Sequence, residues 1–210
     1  MAPTHPTASR ATKRVAGVFQ RPPGAVFHLA MVPAALWLVY AHNFPGYEFF
    51  GAAMASAFLL AAAVVWALRV ATFVWATHKA AAHGPWRWLL TAPLGGLAIV
   101  AIVSSGLPLQ TRWRLAADDF ERAARAAPPP TDVDEWVSFD VPARIGSYRV
   151  LQAVRVGNGV IFYDAEGALF DDAGFAFLPS GPFAELNTGW FESPRFQPLG
   201  EGWYTWTASW

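Results

Sequence analysis

The side chains of this 210-residue chain that could carry chemistry are segregated. All five histidines (His5, His28, His42, His78 and His83) precede residue 84, whereas fourteen of the fifteen carboxylates follow residue 110. Imidazoles and carboxylates therefore fall in different regions, and there is no cysteine to add a thiolate. That leaves no residue set for a transition-metal site, an iron–sulfur cluster, a disulfide framework or a thiol nucleophile. His78 and His83 flank Lys79 with no acid nearby and read as residues at a membrane surface. Asp164, Glu166, Asp171 and Asp172 could offer oxygen ligands to Ca²⁺, but their spacing fits no EF-hand loop. Carboxylates in such positions are ordinary solvated turn formers. The same four, with Glu185 and Glu192, are the groups an envelope enzyme would use for acid–base work, yet nothing in their spacing brings two of them together. Gly-x-Ser-x-Gly, a phosphate-binding loop, His-Glu-x-x-His and a dinucleotide fingerprint are all missing from the sequence. No cofactor and no metal are expected. Trp190, Trp203, Tyr204 and Trp206 are the candidate binding residues.

The elements that must position these groups begin with lipid. The chain is 54% hydrophobic and 14% charged, against about 45–50% and about 25% in soluble domains. Three apolar stretches stand out. Phe49 to Leu68 is twenty residues without a charge, about 30 Å as a helix and enough to cross a bilayer core. Trp88 to Leu109 is twenty-two uncharged residues interrupted by Pro93 and Gly95-Gly96, tolerable where neighbouring helices satisfy freed backbone groups. Gly24 to Ala41 is shorter and contains His28 and Pro33. Three transmembrane helices over 24–110 are expected.

Net charge is zero, but residues 1–110 carry +6 and residues 111–210 carry −6. Arg10, Lys13, Arg14 and Arg21 precede the first span, the loop after it has no Lys or Arg, and Arg69, Lys79 and Arg87 separate the second and third. Four arginines (112, 114, 122 and 125) follow the third. Seven against four places the N-terminus in the cytoplasm and the C-terminal half outside, in a multi-pass protein of the cell membrane. Trp37, Tyr40, Tyr47 and Trp113 would mark the outer interface, and Trp66, Trp75, Trp86 and Trp88 the inner one. Val39-Tyr40-Ala41 before His42 also resembles a signal-peptide cleavage site, although the apolar run is longer than usual and its flanks are bulky. His28 and Arg69 read as boundary residues, and no span contains a carboxylate that could relay protons. Gly51, Ala53, Ala55, Ala57 and Ala61, and Ala92 with Gly96, give spans two and three small-residue faces suited to close helix packing.

Residues 1–23 read as a disordered basic tail near an anionic inner leaflet. Beyond the spans, Trp113, Ala116 or Ala117, Phe120, Ala123 or Ala124 and Ala127 recur at helical spacing. Asp118–Arg122 and Glu121–Arg125 would pair at i,i+4. Pro128-Pro129-Pro130 stops that helix, so residues 111–135 read as a stalk helix with an acidic, proline-rich linker. Residues 136–210 alternate β-branched and aromatic runs with Gly, Asn, Asp and Pro, the pattern of a small antiparallel β domain. Tyr148, Val150, Val154 and Val156 share one parity, and Gly157-Asn158-Gly159 signals a hairpin. Tyr204, Trp206, Ala208 and Trp210 would face one way. The fold class is membrane α plus small β.

Gly174-Phe175-Ala176-Phe177-Leu178-Pro179-Ser180-Gly181-Pro182, Gly202-Trp203-Tyr204-Thr205-Trp206, Trp210 and Ile145-Gly146-Ser147-Tyr148 together resemble an uncharacterised family of small bacterial integral membrane proteins. Members place apolar spans and a short helix before an Ile/Val-Gly-x-Tyr segment and end in an aromatic-rich β domain. The resemblance covers roughly residues 90–210 and implies this architecture without an activity. The expected function is a membrane-anchored accessory protein displaying the β domain to a protein or envelope partner, with the lipid bilayer as its other partner and no nucleic acid. A subunit of a larger transport or respiratory-type complex, and an envelope enzyme using the β-domain carboxylates, are the alternatives.

Overall fold

A computed structural model describes residues 23–80, 87–133, 135–167, 171–184, 186 and 191–209, with the side chains of 76–80 and 87–88 excepted. The expected tail through residue 22, His83, Trp86, Glu185, Trp190 and Trp210 lie outside the described residues, as do the side chains of His78, Lys79 and Trp88. Four helices come first: α1 (Ala25–Ala41), α2 (Phe49–Ala80), α3 (Arg87–Ser104) and α4 (Leu107–Arg125). Seven strands follow: β1 (Trp136–Phe139), β2 (Arg144–Ile145), β3 (Tyr148–Val156), β4 (Gly159–Asp164), β5 (Asp172–Phe177), β6 (Glu192–Gly200) and β7 (Trp203–Ser209).

Helix α2 starts where the Glu48 carboxylate accepts the Gly51 N–H at 2.8 Å, a charge-favoured cap at the positive end of the helix dipole. Its stretch Phe49–Trp75 is the one described helix long and apolar enough to cross a membrane. The expectation of three such helices is not supported. Helix α1 has 17 residues. The third stretch is cut at Ser105-Gly106, where Gly106 adopts φ 67° and the chain bends by 45° into α4. Leu107, Pro108 and Leu109 thus open α4 instead of ending a span, and Pro108 suits a first helical turn, where an N–H has no partner to lose.

Contacts divide the chain into two compact units, one built from 25–36, 55–80 and 87–100, the other from 37–54 and 101 onward. In the first unit, Val26, Leu29, Leu60, Val64, Leu90, Leu94 and Leu97 all point outward. His28 Nδ1 lies 2.9 Å from the Gly24 carbonyl and Nε2 lies 2.6 Å from Thr91 Oγ1. A carbonyl only accepts, so Nδ1 carries the proton and the Thr91 hydroxyl donates to Nε2, joining α1 to α3. The Arg69 guanidinium stands 6.0 Å from the Phe27 ring.

The second unit is an antiparallel sheet in the order β1-β3-β4-β5-β7-β6, with β2 pairing the start of β3. Both faces are covered. On one, Trp113, Ala116 and Phe120 of α4 pack with Phe44, Tyr148, Phe162, Phe175 and Trp203. On the other, Leu178, Leu186 and Phe191 cover Val156, Ile161, Ala176, Trp206 and Ala208. The helical periodicity expected after the spans is therefore present, but the helix lies on the sheet as a core element and is no free-standing stalk. Trp113 correspondingly belongs to this core and not to an outer aromatic belt; its ring stacks on Phe175 with centroids 4.7 Å apart. Arg125 pairs with Glu121 as expected, while Arg122 takes Asp119 in place of Asp118.

Strand β3 also departs from expectation. The register shifts between Val150 and Gln152, and such a bulge turns subsequent side chains to the opposite face. Tyr148 and Val150 join the α4-side core, whereas Val156, of the same parity, joins the other. The hairpin after it places Gly157 and Asn158 at the centre of the turn, because Val156 pairs with Gly159. Gly157 has φ 54°, so glycine occupies the first central position, the arrangement of a type II′ turn.

Candidate functional site

Ionisable side chains from three elements meet beneath the loop that joins α1 to α2. Arg112 comes from α4, Tyr148 opens β3, and Asp164 closes β4, in register with Val150. The Arg112 guanidinium is sandwiched, its Cζ 4.3 Å from the Phe44 ring centroid and 4.0 Å from that of Tyr148, two cation–π contacts. Its Nε donates to Ser147 Oγ at 2.9 Å and Nη2 to the Ser147 carbonyl at 2.6 Å. The Tyr148 hydroxyl donates to the Asn43 carbonyl at 3.2 Å. Gly167, in the connection from β4 to β5, leaves just enough room for the Pro45 carbonyl.

Asp164 is 6% exposed. Its Oδ1 accepts the Glu166 N–H at 2.7 Å, while Oδ2, like Arg112 Nη1, is buried without a hydrogen-bond partner. Burial pushes the Asp164 carboxyl up to about 6, against the opposing pull of the Glu166 amide and the Arg112 charge. The same burial raises the Tyr148 phenol well above its ordinary range. The result is one carboxyl group that takes up a proton in mildly acidic conditions beside a cation fixed in place.

The carboxylates singled out from sequence are split. Alternation along paired strands puts Asp164 on the α4 side and Asp172 on the other, where Asp172 adds to the burial that raises the Tyr163 phenol. Glu166 Oε1 lies 3.5 Å from Arg149 Nη1, and Asp171 and Glu192 are exposed. Among the described residues, no group of three or more His, Asp or Glu side chains is placed to hold a metal ion. Of the candidate binding aromatics, Trp203 is 6% and Trp206 0% exposed, each in a different core. The Trp206 Nε1–H donates to the Phe162 carbonyl at 3.2 Å. Tyr204 is half-buried against Phe196. None of the three presents a free ring face comparable to Trp37, which is 55% exposed.

The Arg112–Tyr148–Asp164 cluster was not visible in sequence. Its members are 16 or more positions apart, and each had a sufficient local reading as a topological charge, a strand residue and a turn carboxylate. At the opposite end of β3 and β4, a shallow concavity of about 920 Å³ is bounded by Thr131, Glu135, Asn158, Ser180 and Phe183, with Asn158 Nδ2 donating to Ser180 Oγ at 3.1 Å. Comparison with protein-family models, curated proteins and solved structures finds no match to this chain.

Proposed function

We propose that this is a membrane-anchored accessory protein whose helices hold the sheet domain outside the cytoplasmic membrane, where it binds a protein or envelope component. The observation that carries the reading is the outward apolar surface of α2: Met54, Phe58, Leu60, Val64 and Leu68 are all exposed along a helix of bilayer-spanning length. Such a surface is stable in hydrocarbon and costly in water. Leu29 and Leu36 on α1, and Leu90, Leu94 and Leu97 on α3, are likewise exposed, which supports reading α1 and α3 as lying with α2 against lipid. The basic excess before α1 and between α2 and α3 orients the N-terminus inward. Capture on the full-length, detergent-solubilised protein should recover one envelope component stoichiometrically, and substitutions around the 920 Å³ concavity, such as Phe183→Ala, should release it. Recovery of nothing, together with an unchanged phenotype when residues 136–210 are deleted, contradicts the proposal.

A second reading, a subunit of a larger membrane complex, is favoured by the outward faces of α2 and α3. Ala53, Ala57 and Ala61 are exposed, and a side chain added at Gly95 or Gly96 would meet nothing within 4 Å. Small outward residues let another helix approach closely. Purification in mild detergent separates the two readings: co-purifying membrane subunits favour the second, and a lone monomer removes it.

A further inference from the structure

A groove of about 400 Å³ runs along the start of α4, walled by Val39 of α1, Ile102 of α3, and Leu107 and Leu115 of α4, with Thr111 and Arg112 at its polar side. We propose that this groove is a binding site for an anionic phospholipid of the outer leaflet, one acyl chain along the leucines and the phosphate at Thr111 and Arg112. The proposal rests on the reading of the helices as membrane-embedded.

Three observations on different physical grounds support this occupant. The walls at Val39 and Ile102 belong to the last turns of two apolar helices. Leu107 and Leu115 are 53% and 83% exposed. With Thr111 between them they recur every four residues, an outward stripe on a helix whose other face is already buried in the sheet. The charge is complementary as well. Arg112 and Arg114 are the only charged residues of α4 before Asp118, and Arg112, whose charge also acts on Asp164, makes no direct salt bridge among the described residues. Apolar walls beside fixed positive charge match an acyl chain joined to a phosphate.

The test uses the full chain in phosphatidylcholine vesicles containing a minority of phosphatidylglycerol, with a photoreactive residue at Leu115 or, as a reference, at the outward Leu60 of α2. Adducts at Leu60 should follow the bulk lipid composition. Adducts at Leu115 should be enriched in phosphatidylglycerol roughly five-fold, the preference that one basic side chain confers near an anionic surface. Arg112→Gln should abolish the enrichment and Arg112→Lys should keep most of it. Because Arg112 also holds Ser147, Thr111→Trp, which fills the groove without touching that contact, should independently return the adducts to bulk composition. Leu115 adducts of bulk composition, or adducts at Leu60 and none at Leu115, overturn the site while leaving the membrane reading in place. Adducts at neither position overturn both.

Discussion

Because burial raises the Asp164 carboxyl from 3.8 to about 6, the folded chain binds this proton more tightly than the unfolded chain does. Stability from that proton is fully present below pH 3.8 and is lost as pH rises through about 6, a swing of about 3 kcal/mol. Thermal unfolding followed by tryptophan emission should therefore show a lower midpoint at pH 7 than at pH 5. Asp164→Asn should remove most of the difference. A smaller part should survive, because Asp172 is shifted in the same direction by burial and by Asp171. An Asp164→Asn protein with the full pH dependence would place the titration elsewhere. Gly174 is constrained differently: a Cβ there would stand 1.9 Å from the Phe162 carbonyl oxygen and 3.1 Å from Trp206 Nε1. Gly174→Ala must push the backbone of β5 away from the Phe162 carbonyl of β4, to which Trp206 also donates, and should cost about 3 kcal/mol. Gly95→Ala, with open space around it, should be neutral or slightly stabilising, as expected for alanine in a helix.

Helix α4 carries the next prediction. Phe120 is fully buried, with its ring against those of Trp113, Phe162, Phe175 and Trp203. Phe120→Ala should cost about 3–5 kcal/mol, while Leu115→Ala should leave the unfolding midpoint unchanged. By the same logic residues 136–210 expressed alone should aggregate, since their α4-facing aromatics would be bare, and residues 101–210 should recover a cooperative transition. A soluble, cooperatively folding 136–210 fragment would mean that α4 is dispensable. How much of this was legible in sequence follows from the range of each interaction. The spacing of Trp113, Ala116 and Phe120 announced a helix with one apolar face, and nothing local said that the face meets β3, β4, β5 and β7. The strands and the 157–159 turn were legible because alternation and glycine act within a few residues. The bulge after Val150 was not, since it depends on what β1 and β4 require of β3, and neither was the break at Gly106 within a run that hydropathy alone reads as continuous.

For the whole molecule, the proposed arrangement, with cations on the inner side and the acidic sheet domain outside, would account for both the +6 and −6 halves and the outward leucines of α1, α2 and α3. This also gives Arg112 its place in the molecule, clamped by Phe44 and Tyr148 where the loop from α1 to α2 meets the domain. The chain contains no cysteine, so a single introduced thiol reports its own side of the membrane without background. In intact spheroplasts, a membrane-impermeant maleimide should label Ser180→Cys, an exposed position of the sheet domain, and should label Ser9→Cys only after lysis. Labelling of Ser9→Cys in intact spheroplasts with Ser180→Cys protected, or release of the protein from membranes without detergent, would contradict the anchored, outward-facing arrangement.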